Sequence, residues 1–201
     1  MVISGLIGTE LGLAAGYFRG KTDAVLSPTF NALLAFPQLV LALLLVSVFA
    51  NGPQDSVAKR IVVLMAALGI IAIPLLARIT RANTLAWADR DFVMAARAMG
   101  AKPWRVLFRD VLPNVVPAMM AITLLAIGVA IVAEAGLAFL GLGVKLPTPS
   151  WGNILAAGKP ELRRVPMMVI APTIFIFFTV MSLNFLGDVI QKRFNVRESL
   201  L

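Results

Sequence analysis

Five long apolar runs joined by short charged connectors restrict what this 201-residue chain can fold into. Residues 1–18 are apolar except for Glu10, and residues 24–54 carry no charge. Residues 61–77 are uncharged but short, with Pro74 near the end. Residues 111–133 are uncharged, and beyond Glu134 the apolar character continues to residue 144. The last run covers residues 165–187. Crossing the hydrocarbon core takes roughly 20 apolar residues. In lipid each backbone polar group has to be satisfied within its own segment, which selects helices over open strands. The alternation of a membrane barrel is absent. With 60% hydrophobic and 14% charged residues, and a mean hydropathy of +0.92, the chain departs from soluble domains, which are about a quarter charged. The expectation is an all-α, polytopic membrane protein with five spans, residues 31–50 forming the membrane part of the second run.

Several function classes fall away on composition. Without cysteine there is no disulfide or thiolate chemistry, and without histidine the commonest general base and metal ligand are missing. The net charge of +8 sits in the connectors, with no patch interleaving basic and aromatic residues, so nucleic-acid binding is not expected. Instead the charge orients the chain. One side holds Arg19, Lys21, the seven cations between Arg78 and Arg109, and Lys192, Arg193 and Arg197. The other holds Lys59, Arg60, Lys145, Lys159, Arg163 and Arg164, half as many. By the positive-inside rule the first side is cytoplasmic. Five spans then put the N-terminus outside, and the abrupt start in a helix suggests a further span ahead of it. No cleavable signal peptide is evident, since no basic segment precedes the first apolar run. Residues 1–201 read as one transmembrane domain, with a cytoplasmic loop over about 78–112 and an outer loop over about 144–164.

The cytoplasmic loop contains "MAARAMGAKPWRVLFRDVLPN", residues 94–114. Ala95, Ala96 and Ala98 favour helix, Gly100 can end it in the left-handed conformation, and Pro103 suits the first turn of a second helix. Trp104, Leu107, Phe108, Val111 and Leu112 then fall on one apolar stripe, and Pro113 marks the start of the next membrane helix. The residues alone leave two readings open: a helix pair lying on the membrane surface with the stripe in lipid, or a docking element whose stripe packs it against the protein's own spans.

Two alanines, a glycine four residues later and Leu-Pro twelve residues after that resemble the "EAA" loop of bacterial importer permeases of the ATP-binding-cassette class. The matching positions are Ala95, Ala96, Gly100, Leu112 and Pro113. "GLAAGYFRGKTD", "LLAFPQLVLAL", "IAIPLLARITRA", "AEAGLAFLGLGVKLPTPSWGNIL" and "NFLGDVIQKRF" resemble the dipeptide, oligopeptide and nickel branch of that family over nearly the whole chain. Met94 stands where the family has an acid, with Asp89 and Asp91 as nearby substitutes, and Asp110 where histidine is common. The resemblance implies a six-span permease in the bacterial inner membrane, matching the further span inferred above. It implies coupling to a cytoplasmic ATPase through Ala95, Ala96, Gly100, Pro103, Trp104, Leu107, Phe108, Leu112 and Pro113. The implied partners are ATPase subunits that bind ATP and Mg, a second homologous permease, an extracytoplasmic substrate-binding protein and membrane lipid, with no cofactor in this chain.

ATP hydrolysis by the chain itself is not expected. "GYFRGKT" at residues 16–22 is one residue short of a phosphate loop, because Ala15 occupies the position of the first glycine, and it follows a membrane helix rather than a strand. It reads as a tight turn with Arg19 and Lys21. Glu134, within an apolar helix, shares a face with Ala126, Ala130 and Ala138, with Gly141 alongside; an intramembrane carboxylate is a candidate functional group. It is either a structural acid bonded to a neighbouring helix or, with Ala130 and Ala138, part of a translocation path. Glu10 has no assigned role. In the outer loop Pro147 and Pro149 preclude a regular helix, while "SWGNILAAG" suits a short interfacial helix with Trp151 at the headgroups. That loop is either a plain connector or a landing site for the delivery protein. Two other classes stay open: a proton-coupled secondary carrier using Glu10 and Glu134, for which inverted repeats and paired broken helices are expected and against which five spans and a docking-type loop count, and a non-transporting scaffold.

Overall fold

The computed structural model describes residues 1–50, 52, 56–144 and 148–195. Features expected at Gln54, Lys145, Pro147 and Arg197 lie outside the described residues. The described chain is helical, with no strand: α1 (Val2–Phe18), α2 (Gly20–Leu34), α3 (Gln38–Ala50), α4 (Val57–Ala88), α5 (Asp91–Ala98), α6 (Pro103–Val106), a π-helical turn (Leu107–Val111), α7 (Leu112–Phe139), α8 (Trp151–Gly158) and α9 (Met167–Asn195).

Among the described residues, three helical stretches are long and apolar enough to cross a membrane: Val57–Ala88, Pro103–Phe139 and Met167–Phe194. Counting the bent pair α2 and α3 as one span makes four. α1 is apolar but has only 17 residues, about 25 Å of helix against a hydrocarbon core of about 30 Å. The helix expected over residues 31–50 is broken at Ala35–Pro37. The cause is local: Pro37 has no N–H to donate and disfavours helical backbone at Phe36.

The chain divides into two compact units. One comprises Val2–Ala35, Ala72–Leu124 and the chain from Leu186 onward. Its centre is a close contact between α1 and α4. Gly8, Gly12 and Gly16, four residues apart, meet Leu76, Ala77, Thr80 and Thr84. A Cβ added at Gly12 would lie 2.4 Å from the Ala77 carbonyl oxygen, and one at Gly16 2.7 Å from Thr84 Cβ. Lipid tails are as apolar as leucine, so helices in a bilayer gain from van der Waals packing, and small residues let backbones approach. Thr80 and Thr84 are fully buried and donate to Leu76 O and Thr80 O at 2.8 Å each, so their hydroxyls are satisfied within α4. Gly187 of α9 lies against the backbone of Ala121 less tightly, an added Cβ meeting its carbonyl oxygen at 3.2 Å.

The other unit comprises Met1, Phe36–Ile71 and Leu125–Phe185. Ala42 and Val46 of α3, Leu64 and Ala67 of α4 and Leu137 of α7 form its core. α7 ends in a left-handed glycine, Gly141, with φ +85°, and Leu142 N–H returns to Leu137 O at 2.8 Å, the bond that closes a Schellman turn. Gly152 of α8 sits directly on Ala138 and Ala135.

Candidate functional site

The helix–glycine–helix element forms as its residues suggest up to Pro103, and differently beyond it. α5 ends at Ala98, and Gly100 takes φ +80° with open space where a Cβ would be. Ala101 N–H donates to Ala96 O at 3.1 Å, so the turn closes on its own carbonyls. α6 begins at Pro103 but is not a separate helix: it passes through the π-helical turn into α7 as one stretch, Pro103–Phe139. Pro113 is the second residue of α7 and marks its start, although the helical stretch runs unbroken across it from Pro103. The physical reason is the proline itself. In α register Pro113 would meet the Arg109 carbonyl with a ring and no N–H. The chain widens by one residue instead, and Leu112 N–H donates to Leu107 O, five residues back.

The extra residue also divides the expected stripe. Leu107 and Val111 are buried, together with Val106 and Val115. Trp104 and Phe108 stand 59% and 56% exposed, and Leu112 is half-buried. The two exposed rings stack on each other at 5.8 Å, and Phe18 at the end of α1 meets Trp104 edge-on at 4.9 Å. Ala95 and Pro103 are exposed, Ala96 is half-buried, and Met94 and Met99 are exposed beside them. The element is tied down from below. Val93 is fully buried, and the Arg97 guanidinium lies 5.0 Å over the Tyr17 ring. Arg19 donates to both oxygens of Asp89 at 2.6 and 2.7 Å. Asp89 is thus engaged within the chain, while Asp91 opens α5. Arg81 holds Asp23 by two bonds, Nε to Oδ1 at 2.5 Å and Nη2 to Oδ2 at 2.6 Å, and Ser27 adds a third.

Glu134 lies on α7 five residues before its end, on a cleft of about 570 Å³. Ala130, Ile131, Ser150, Trp151 and Ile154 share the lining. Ser150 caps α8, accepting from Asn153 N–H at 3.1 Å, and lines the cleft beside Glu134. Glu134 Oε1 is buried without a partner. Of the three residues assigned to a path, Glu134 and Ala130 meet at this cleft, whereas Ala138 is 3% exposed and packed under Gly143 and Gly152. "SWGNILAAG" does form a helix, α8, with Trp151 stacked on Phe175 at 6.5 Å.

Two features escape a reading of the sequence by runs and motifs. The glycine ridge of α1 is one; its signal is the four-residue spacing of Gly8, Gly12 and Gly16. The other is Arg60, which reads as a connector cation but is 4% exposed, with Nη2 donating to Gly141 O at 3.0 Å at the C-terminal end of α7. A cation there offsets the negative end of the helix dipole. The periodicity of α4 carries no signal for this, because the partner lies 81 residues away.

Residues 8–199 match the family described as "Binding-protein-dependent transport system inner membrane component". The chain is 36% identical over 188 residues to a glutathione transport system permease protein of Pectobacterium atrosepticum, covering 94% of this chain and 60% of that protein. It is 33% identical over 183 residues to a dipeptide transport system permease protein of Alkalihalophilus pseudofirmus, with coverages of 91% and 58%. A glutathione transport system permease protein of Shigella dysenteriae is 37% identical over 186 residues, with coverages of 92% and 59%. The chain thus spans about 60% of the length of the curated relatives it matches.

Proposed function

Because this chain belongs to the family of binding-protein-dependent inner membrane transport components, we propose that it is a permease subunit of an ATP-driven importer of small peptides. It forms half of the translocation pathway and is coupled through residues 94–113 to a cytoplasmic ATPase that binds ATP and Mg. A second, homologous permease and an extracytoplasmic binding protein complete the machine. Glutathione and dipeptides, the substrates named for its relatives, set the class of cargo.

One observation carries the reading. The element from α5 to α6 has an inner face of buried Val93, Val106, Leu107 and Val111, an outer surface with Met94, Met99, Trp104 and Phe108 exposed, and no break on its way into α7. Such an element moves as one piece. Ala95, Ala96, Gly100 and Pro103 keep its surface low or turn the chain, so a cleft of a partner can close around it. Leu112 and Pro113, at the widened turn, join it to the span. A displacement imposed by ATP-driven closure of the ATPase pair then reaches the membrane helix without loss in a flexible joint.

The test uses the complete transporter in proteoliposomes. Ala96→Arg puts a long cation on the half-buried side of α5, and Gly100→Pro forbids the φ of +80°. Both are expected to lower peptide uptake by about tenfold or more, in line with a coupling of 1–3 kcal/mol, while the chain stays inserted and ATP hydrolysis persists. Normal uptake in both variants would overturn the docking role. Uptake driven by a pH gradient without ATP would support a carrier instead.

A further inference from the structure

Three consecutive residues at the corner between α1 and α2 all reach the α5–α6 element. Tyr17 takes the Arg97 guanidinium over its ring at 5.0 Å. Phe18 meets Trp104 edge-on at 4.9 Å. Arg19 donates to both carboxylate oxygens of Asp89, at 2.6 and 2.7 Å. The three partners are spread along the element: Asp89 precedes α5, Arg97 lies in its last turn, and Trp104 in the first turn of α6. Contacts at three places along it leave the element little freedom to pivot against α1. α1 is in turn seated on α4 through Gly8, Gly12 and Gly16, with no room for a Cβ.

The backbone of the corner is strained. Arg19 has φ 49° and ψ −154°, and it is the one residue other than glycine with positive φ among the described residues. Glycine adopts such a backbone freely, whereas an L side chain does not. A corner that only turned the chain would form more easily with glycine at position 19, as it has at Gly20, where φ is 51°. Arginine at that position sets a guanidinium on Asp89. The two side chains are 47% and 63% exposed, so their pairing contributes little stability. Strain kept where so little stability is gained points to a task other than holding the fold.

We infer that Tyr17, Phe18 and Arg19 are positioning residues: they fix the α5–α6 element on α1, so that a displacement of the element passes into α1 as well as along α6 into α7. The transport role of that displacement rests on the permease reading above. With the corner engaged, α1 and α7 are driven together. With it released, α1 is left behind.

The test uses the complete transporter in proteoliposomes and reads dialanine imported per ATP hydrolysed, with thermal unfolding measured alongside. Arg19→Gly removes the guanidinium and relieves the backbone at once. Its unfolding midpoint should rise or stay within about 4 °C of the parent's, as for an exposed pair. Import per ATP should nevertheless fall about fivefold or more, the scale of a coupling between sites. Asp89→Arg should lose as much, and combining it with Arg19→Asp should recover most of the loss. A corner with a purely structural role predicts a different pattern: relief of strain and unchanged import per ATP in Arg19→Gly. Parent-like import per ATP in that variant, a loss that tracks a larger fall in the midpoint, or no recovery in the exchanged pair would each overturn the inference. Any of these leaves the permease reading standing as long as the parent transporter imports dialanine. A parent that hydrolyses ATP without import sinks that reading, and the role of the corner with it.

Discussion

In the unit built around α1 and the second half of α4, Arg81 and Ser27 saturate Asp23, Arg19 grips Asp89, and Thr80 and Thr84 bond within their helix. In the unit built around α3, α7 and α8, three buried polar atoms have no partner: Arg60 Nε, Glu134 Oε1 and Asn184 Oδ1. Both are read as parts of one membrane protein, yet among the described residues the first contributes no such atom. An unsatisfied buried group costs about 1–3 kcal/mol, and natural proteins keep such costs mainly where a site needs them. The contrast is one of polar satisfaction: the first unit pairs its charged groups, and the second leaves three buried atoms unpaired.

That contrast can be broken at graded cost. The largest effect is expected from Gly12→Leu. Its Cβ alone would lie 2.4 Å from a backbone oxygen, so α1 and α4 must separate, and thermal unfolding in detergent should show a loss of about 3 kcal/mol or more. A variant as stable as the parent would mean that the α1–α4 contact is not close-packed. Next comes Arg81→Met, which strands the Asp23 carboxylate. The pair is 30% and 23% exposed, so the cost should be about 2 kcal/mol, below that of a fully buried pair. Adding Asp23→Asn should return most of it, and a double-mutant cycle without coupling would dissolve the pair's role.

Asn184→Leu sharpens the comparison from the other side. Removing an orphaned acceptor should raise stability by about 1 kcal/mol, some 2–4 °C in the unfolding midpoint. A fall of that size would show that the amide has a partner after all. The smallest effect is expected from Arg19→Ala, because the pair with Asp89 is exposed on both sides. The loss should stay under about 1 kcal/mol and vanish at high salt.

Much of this architecture was legible in the residues. Apolar run lengths anticipate α4, α7 and α9, the left-handed turn follows from Gly100, and α8 from the segment "SWGNILAAG". Contacts between distant segments were not legible. The α1 ridge matters only because Leu76, Ala77, Thr80 and Thr84 lie opposite it, and nothing within α1 names them. Proline acted differently at two positions. At Pro37 it broke a run read as one helix; Pro113 stands at the start of α7 as read, but the helix runs through it from Pro103 with a wider turn. Trp104 and Phe108 were read with Leu107 and Val111 because the stripe assumes 3.6 residues per turn, and one inserted residue defeats that assumption.

That inserted residue has a bearing on how such chains diverge. Each residue advances a helix by about 100°. Deleting a single position between Leu107 and Val111 would re-phase the junction, leaving its length almost unaltered while swinging whatever precedes it about the axis. The knob carrying Met99 would then face a different direction, with every side chain that composes it intact. A change that substitution tables score as trivial would re-aim the loop relative to its own span.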